Sequence, residues 1–154
     1  MRISVFFFIG LLACPVAFSA DSGLGKEVFK SINWSVRQTP DGMTGAKSCT
    51  GLYRDKYIVQ LTDAALFISL APSGGVKGYS VRFDDEPASA DRLASQHELA
   101  IQSVALKNDD FLKLLTSRRV RLQILTAGGQ KEDHDIDLSD IGPAHAVIQG
   151  KICH

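Results

Sequence analysis

Apolar and polar residues alternate along much of the chain, and this period of two is typical of half-buried β-strands. Turn sequences rich in glycine and proline separate the alternating segments, as at residues 72–75 and 127–130. The pattern therefore predicts antiparallel strands joined by short turns, with Ile32, Trp34 and Val36 on one face of the first strand. The segments predicted as strands are 32–37, 57–62, 66–70, 78–84, 99–106, 120–125 and 134–138, and residues 49–53 are a further candidate.

Two segments carry apolar residues at helical spacing. The first covers residues 109–117, with Asn108 as its N-cap, and the second follows Ser139 or Asp140 near the C-terminus. Their apolar faces consist of Phe111, Leu112, Leu114 and Leu115 in the first helix and Ile141, Ala144 and Ile148 in the second. Strands and helices do not alternate as in βαβ units. We therefore predict an α+β fold, a mainly antiparallel β-sandwich-like sheet of about six or seven strands with two short helices, the last at the C-terminus.

The first residues have the order of a secretory signal peptide. Arg2 precedes the apolar segment 3–13, Pro15 ends it, and small residues lead to Asp21. The sequence thus predicts a signal peptide over residues 1–20 and a single β-rich domain over residues 21–154. It places the mature protein in the periplasm or outside the cell, with no integral membrane segment after cleavage. Lipidation of Cys14, which follows a lipobox-like Leu-Leu-Ala, is the alternative.

Cleavage leaves two cysteines, Cys49 and Cys153. An even number of cysteines in an exported protein favours a disulfide bond. A zinc site is disfavoured, because the chain has no Cys-x-x-Cys pair and no histidine at ligand spacing. We therefore predict a Cys49–Cys153 disulfide that ties an early strand to the C-terminus.

Charge and motifs narrow the function classes. The 154 residues include 17 basic and 17 acidic side chains, and 45% are hydrophobic. Nucleic acid is therefore an unsuitable main partner, because binding the phosphate backbone requires a basic excess. The sequence contains no common catalytic or nucleotide-binding motif. We predict a protein that is not an enzyme, with no catalytic residues, no cofactor and no metal.

Four arginines are the candidate interaction surface: Arg82, Arg118, Arg119 and Arg121. Arginine forks bind carboxylate or phosphate groups well. The interpretation that we favour for Arg118 and Arg119 is structural, because both follow a helix and complement its C-terminal dipole. Arg121 is expected on the outer face of a strand.

Three acidic residues are candidates for an alternative, catalytic function. A hydrolase without a standard motif would use Asp84, Glu86 or Asp135, if a cleft brought them together. Asp133 and Asp137 share a strand face with Asp135, and we interpret this face as exposed rather than as a cation site. We interpret residues 97–98, His-Glu, as part of a solvated polar loop.

The order of elements in the C-terminal half resembles two groups of small bacterial periplasmic proteins. The resemblance is carried by segments 79–84, 111–115, 120–124 and 136–144, and by Cys153. It is to the invasion-associated-locus-B type and to the type VI secretion accessory type known as VasI. It implies a sheet with a capped final helix and a non-enzymatic, exported accessory protein, and it carries over no catalytic residue. Asp140 stands where these families usually have glycine at the helix entry.

These observations lead to one preferred function and two alternatives. The preferred function is an exported, non-enzymatic binding or accessory protein that contacts another protein at the envelope or in secretion, including inhibitor or immunity-type binding. The alternatives are the secreted hydrolase and a carrier of small ligands or lipids, which would need an apolar cavity within the sheet.

Overall fold

The computed structural model describes residues 25–154, so the predicted signal peptide and Cys14 lie outside the described residues. The described part forms ten strands and three helices. The strands are β1 (Lys26–Lys30), β2 (Trp34–Pro40), β3 (Lys47–Tyr53), β4 (Lys56–Leu61), β5 (Ala65–Ser69), β6 (Val76–Phe83), β7 (Arg92–Leu93), β8 (Ser103–Lys107), β9 (Arg119–Thr126) and β10 (Lys131–Asp137). The helices are α1 (Gln96–Ile101), α2 (Asn108–Thr116) and α3 (Ile141–Ile148), with 3₁₀ turns at Ala71–Ser73 and Lys151–Cys153.

The strands form two antiparallel sheets. The first has six strands in the order β1-β2-β3-β4-β5-β8, and the second has four in the order β10-β9-β6-β7. Most neighbours are joined by hairpins, while β8 and β9 reach their partners β5 and β6 through crossovers. The predicted α+β, mainly antiparallel fold with a C-terminal helix is confirmed. The strand count is higher than predicted, because β1 and the two-residue β7 carry no alternating pattern.

One buried core lies between the sheets and two of the helices. Its side chains come from the inner faces of both sheets and from α2 and α3. The largest buried members include Trp34, Leu61, Leu66, Ile68, Leu106, Leu114, Leu122, Ile124 and Ile136. Burial of this apolar surface is the main stabilising contribution to the fold. None of the described helices has the length and apolar content needed to cross a membrane.

Helix α3 packs against the first sheet near the disulfide. It contacts β1, β2 and β3, and it buries Ile141, Ala144 and Ile148, as predicted. Gly51 on β3 allows this approach, because a Cβ there would lie 3.0 Å from Leu61 Cβ and 3.4 Å from Ile148 Cδ1. The chain then turns through residues 149–150 so that the sulfur atoms of Cys49 and Cys153 bond at 1.97 Å.

The prediction for Ile32 is wrong. Its side chain is 90% exposed, whereas Trp34 and Val36 are buried as predicted. Residue 32 lies in the tight connection between β1 and β2, where the Ser31 N–H donates to the Trp34 carbonyl and the Trp34 N–H donates to Ser31 Oγ. The strand therefore begins at Trp34, and Ile32 projects from the turn.

The predicted strand 99–106 is wrong in its first half. Residues Gln96–Ile101 form α1, and only Ser103–Lys107 form a strand. A capping box begins the helix: the Glu98 N–H donates to Ser95 Oγ, and the Ser95 N–H donates to Glu98 Oε2. Gln102, at φ +50°, ends it in a left-handed conformation. The sequence contains the Ser-x-x-Glu motif of this capping box, but the apolar residues that follow it favoured the prediction of a strand.

The remaining differences are local. Residues Lys26–Lys30 form a strand, although the sequence has no alternating pattern there. The predicted N-cap of α2 is wrong by one residue, because Lys107 is the N-cap and Asn108 is the first helical residue. Asp140 is the N-cap of α3, as predicted, but its side chain makes no capping hydrogen bond. Leu112 is 64% exposed instead of facing the core, so the buried face of α2 is formed by Phe111 and Leu114.

Candidate functional site

The candidate site lies on the face of the second sheet that points away from the core, here called the outer face. Strands β6 and β9 place Val81, Phe83, Leu122 and Ile124 inward. Their alternate residues therefore point outward, because successive side chains of a strand lie on opposite faces. Strand register arranges the outer face as three rows across the sheet. These are an apolar row (Leu93, Gly78, Leu125) that ends at Lys131 on β10, a polar row (Ser80, Gln123, Asp133) and an arginine row (Arg82, Arg121, Asp135).

The arginine row brings two guanidinium groups together. Arg82 and Arg121 are directly paired across β6 and β9, and they line an open groove of about 330 Å³ with residues of the polar row. The Nε atom of each arginine is buried and has no hydrogen-bond partner. Arg121 Nη2 lies 3.9 Å from Asp85 Oδ1, which is a weak ion pair at this distance. Because both Nε atoms are closed to solvent, an acceptor in the groove can reach only the remaining N–H groups of the two guanidinium groups.

Asp84 fixes the backbone beside this row. Its Oδ1 atom accepts hydrogen bonds from the backbone N–H groups of Arg118 and Arg119, each at 2.9 Å. The side chains of Arg118 and Arg119 line a second groove, of about 430 Å³, with Asp84, Asp85, Thr116 and Arg121. Arg119 Nε also pairs with Asp135 Oδ1 at 3.3 Å.

The structure thus brings all four predicted arginines to one end of the outer face. Arg121 joins the two grooves, since it lines both. Arg118 and Arg119 follow α2 in the chain, as expected, and their backbone is held by Asp84 rather than by the helix alone.

The apolar row lies at the other end of the outer face. Leu93 is 85% exposed, and it lines an open groove of about 220 Å³ with Leu125 and Gly78. Gly78 is required here, because a Cβ would lie 2.7 Å from the Arg92 carbonyl oxygen on β7. Sequence reasoning missed this row because the pairing of β7 with β6 has no local signal.

A polar network, buried at Tyr79 and Glu98 and open to solvent at Arg92, holds β7 in place. The Arg92 guanidinium pairs with both carboxylate oxygens of Asp110 on α2, and this pairing raises the pKa of Arg92. Tyr79 lies between β7 and Glu98, and burial together with the Glu98 carboxylate raises its pKa to about 12. The network therefore links the edge of the second sheet to α1 and α2.

Glu98 is the buried carboxylate of this network, and the prediction that residues 97–98 form a solvated loop is wrong for it. Burial opposes its ionised form, but hydrogen bonds from the backbones of Ala105 and Ser95 outweigh burial and lower the pKa of Glu98. The Ala105 N–H donates at 3.0 Å and Ser95 Oγ donates at 2.7 Å. Because its oxygens already accept these bonds, Glu98 acts as a structural residue.

The three carboxylates considered for hydrolysis have different partners. Glu86 pairs with Lys113 on α2, Asp135 pairs with Arg119, and Asp84 accepts the two backbone N–H groups. Asp133 accepts a hydrogen bond from Gln123 Nε2 at 3.2 Å, and Asp137 accepts one from the Ser139 N–H at 2.8 Å. Across residues 25–154, no cluster of three or more His, Cys, Asp or Glu side chains is arranged to hold a metal ion.

Comparison with known proteins identified no relative of this chain. No family model, curated protein or solved structure matches the chain.

Proposed function

We propose that this chain is an exported, non-enzymatic protein that acts by contacting another protein, and that the outer face is its contact surface. The observation that carries the proposal is the pair Arg82 and Arg121, which lie side by side on the outer face while Arg82 has no ion-pair partner within the described residues. Arginine is enriched at protein interfaces, where its planar fork pairs with acceptors of the partner.

Two features support export to the periplasm or the exterior. The signal-peptide pattern of residues 1–20 has the expected order of charged, apolar and small residues. The Cys49–Cys153 disulfide suits an oxidising compartment, since thiols in the cytosol are kept reduced. The N-terminal sequence of the native protein tests this part of the proposal. We expect a start at Ala20 or Asp21. An intact Met1 would contradict export, and a lipid-modified Cys14 would show an exported lipoprotein instead of a soluble exported protein.

Contact through the outer face is tested by affinity capture from an envelope extract. The purified protein carries either R82A/R121A or the matched control K47A/K56A, which removes two positive charges from exposed positions of the first sheet. We expect R82A/R121A to capture at least about tenfold less partner than the unmodified protein, because hydrogen bonds to charged groups contribute on this scale. The control should capture as much as the unmodified protein.

Footprinting locates the contact on this chain. Hydrogen exchange of the captured complex should show protection on β6 and β9, on both sides of the arginine row. Equal capture by both double variants, or protection confined to the first sheet, would refute the outer face as the contact surface.

A further inference from the structure

We propose that the outer face binds an extended peptide segment carrying an acidic residue and an apolar residue four positions apart. The acidic side chain would lie on the arginine row and the apolar side chain on the apolar row. This inference rests on the proposed function and specifies the chemistry of the partner. It follows from the arrangement of the two ends of the outer face and from the distance between them.

The arginine row offers two guanidinium groups to a carboxylate. Arg82 and Arg121 are neighbours in register, and Arg82 has no ion-pair partner within residues 25–154. Two adjacent guanidinium groups can each donate to one carboxylate, and a carboxylate that accepts several charged hydrogen bonds is bound strongly.

Nearby acidic groups favour a carboxylate over a phosphate. Asp135 belongs to the arginine row, Asp133 lines the same groove, and Asp85 lies 3.9 Å from Arg121. These groups reduce the positive potential of the groove. A single negative charge is therefore accommodated more easily than the near-dianion of a phosphate.

The apolar end is suited to a branched aliphatic side chain. Leu93 and Leu125 lie on either side of Gly78, which has no side chain to fill the space between them. The position of Leu93 is fixed, because its neighbour Arg92 is held by Asp110. An aliphatic side chain placed there would cover Leu93, which is 85% exposed in the free protein.

The spacing between the two ends determines the ligand pattern. Arg121 and Leu125 are four residues apart on β9, which corresponds to about 13 Å at about 3.3 Å per residue. A peptide that runs along the strands has the same rise, so its residues i and i+4 point to the same side and reach both rows. Ser80 and Gln123 lie beneath the middle of such a peptide and offer polar groups to it. A helix would need about eight residues to cover the same distance.

The experiment measures binding of synthetic ten-residue peptides to the mature protein by fluorescence anisotropy. Each peptide has one glutamate and one leucine in a threonine and serine background, at a spacing of three, four, five or eight residues. We expect the spacing of four to bind best, by about fivefold or more, because spacings of three and five turn the leucine to the opposite side. Replacing the glutamate by glutamine should weaken binding about tenfold.

Variants of the protein identify the rows. R82K/R121K keeps both charges but removes the planar forks, and it should weaken every glutamate peptide. L93S changes an exposed side chain, so it should fold normally and should abolish the preference for a spacing of four. L112S removes another exposed leucine, on α2, and should leave binding unchanged.

Three results would overturn the inference: equal binding at all spacings, tightest binding at a spacing of eight, or displacement of the peptide by inorganic phosphate at lower concentration than by acetate. If these occur while R82A/R121A still abolishes capture of the cellular partner, the outer face remains the contact surface and only the ligand pattern is wrong. If capture is also unaffected, the proposed function fails as well.

Discussion

At the scale of single residues, Trp34 shows how a core side chain can combine strong stabilisation with a local cost. Its side chain is 1% exposed and packs against Tyr53, with ring centroids 5.4 Å apart. Its indole Nε1 is buried and has no hydrogen-bond partner. The apolar contact therefore stabilises the fold, while the unsatisfied N–H reduces that gain.

Substitution of Trp34 separates these two effects. We expect Trp34→Ala to lower the free energy of unfolding by about 3–5 kcal/mol, the range for deleting a large buried aromatic side chain. Trp34→Phe should cost clearly less, because it keeps an aromatic ring and removes the unpaired N–H. Urea unfolding measures both values. A loss below about 1 kcal/mol for Trp34→Ala would show that the side chain is not part of the core.

At the scale of elements, α1 depends on one buried carboxylate. The helix has six residues, too few to be stable through its own hydrogen bonds, so its ends and contacts decide its formation. Glu98 accepts bonds from Ser95 at the start of α1 and from Ala105 on β8. It thus attaches the helix to the first sheet.

Glu98→Gln tests this attachment. The amide NH₂ would face donors at Ser95, so one hydrogen bond becomes a donor–donor contact and the charge is lost. We expect a decrease of about 2 kcal/mol in the free energy of unfolding, measured with urea at neutral pH. His97→Gln is the matched control, since His97 is exposed, and it should change stability little. Equal stability of the two variants would contradict the structural role of Glu98.

The C-terminal helix α3 is a second element that depends on a local restraint. Only three of its eight residues are fully buried, and the chain after it returns to β3 through the disulfide. Gln38 Nε2 also donates to the Ile152 carbonyl, so the C-terminal turn contacts β2. The covalent bond and this contact hold the end of the chain on the first sheet.

Cys153→Ser should lower the free energy of unfolding by about 2–5 kcal/mol, because it removes a crosslink that closes a long loop. The double variant C49S/C153S should lose about the same amount, since the crosslink is already absent in the single variant. Non-reducing peptide mass spectrometry of the unmodified protein should find a linked Cys49–Cys153 pair. Two alkylatable thiols, or a disulfide between two molecules, would contradict this prediction.

At the scale of the whole molecule, the pKa shifts set the pH range of stability. Glu98, Asp41, Asp55 and Asp137 all have a lowered pKa in the folded protein, each through hydrogen bonds to the ionised form. Their stabilising contribution is complete above the ordinary carboxyl pKa of about 4 and is lost as the pH falls through the lower folded values. Tyr79 affects stability at alkaline pH, because its pKa is raised to about 12 in the folded protein. Its stabilising contribution is complete below about pH 10 and is lost as the pH rises to about 12.

We therefore expect the free energy of unfolding to be nearly constant between about pH 5 and pH 9, and to fall on both sides. Urea unfolding across this range measures the profile. In Glu98→Gln, the free energy of unfolding should fall less steeply as the pH decreases below about 5. In Tyr79→Phe, it should fall less steeply as the pH increases above about 9. If Glu98→Gln leaves the loss of stability below about pH 5 unchanged, Glu98 does not cause that loss. If Tyr79→Phe leaves the loss of stability above about pH 9 unchanged, Tyr79 does not cause it.

Much of the fold was determined by the sequence alone. Alternation over residues 79–83 and 120–125 predicted strands whose inward residues are buried, and the apolar face of α3 was identified correctly. Cys49 and Cys153, the two cysteines outside the predicted signal peptide, predicted the disulfide. The strands and the helix face depend on neighbouring residues, and the disulfide follows from the number of cysteines, so the sequence is sufficient to predict them.

Tertiary structure decided the outer face and its rows. The sequence proposed Arg82 together with Arg118, Arg119 and Arg121, but the direct pairing of Arg82 with Arg121 depends on β6 and β9 lying side by side. Leu93 and Leu125 were not recognised, because they are brought together only by the contact of β6 with both β7 and β9. Strand register joins residues that are distant in sequence, and it is set by the packing of the whole core rather than by any local pattern.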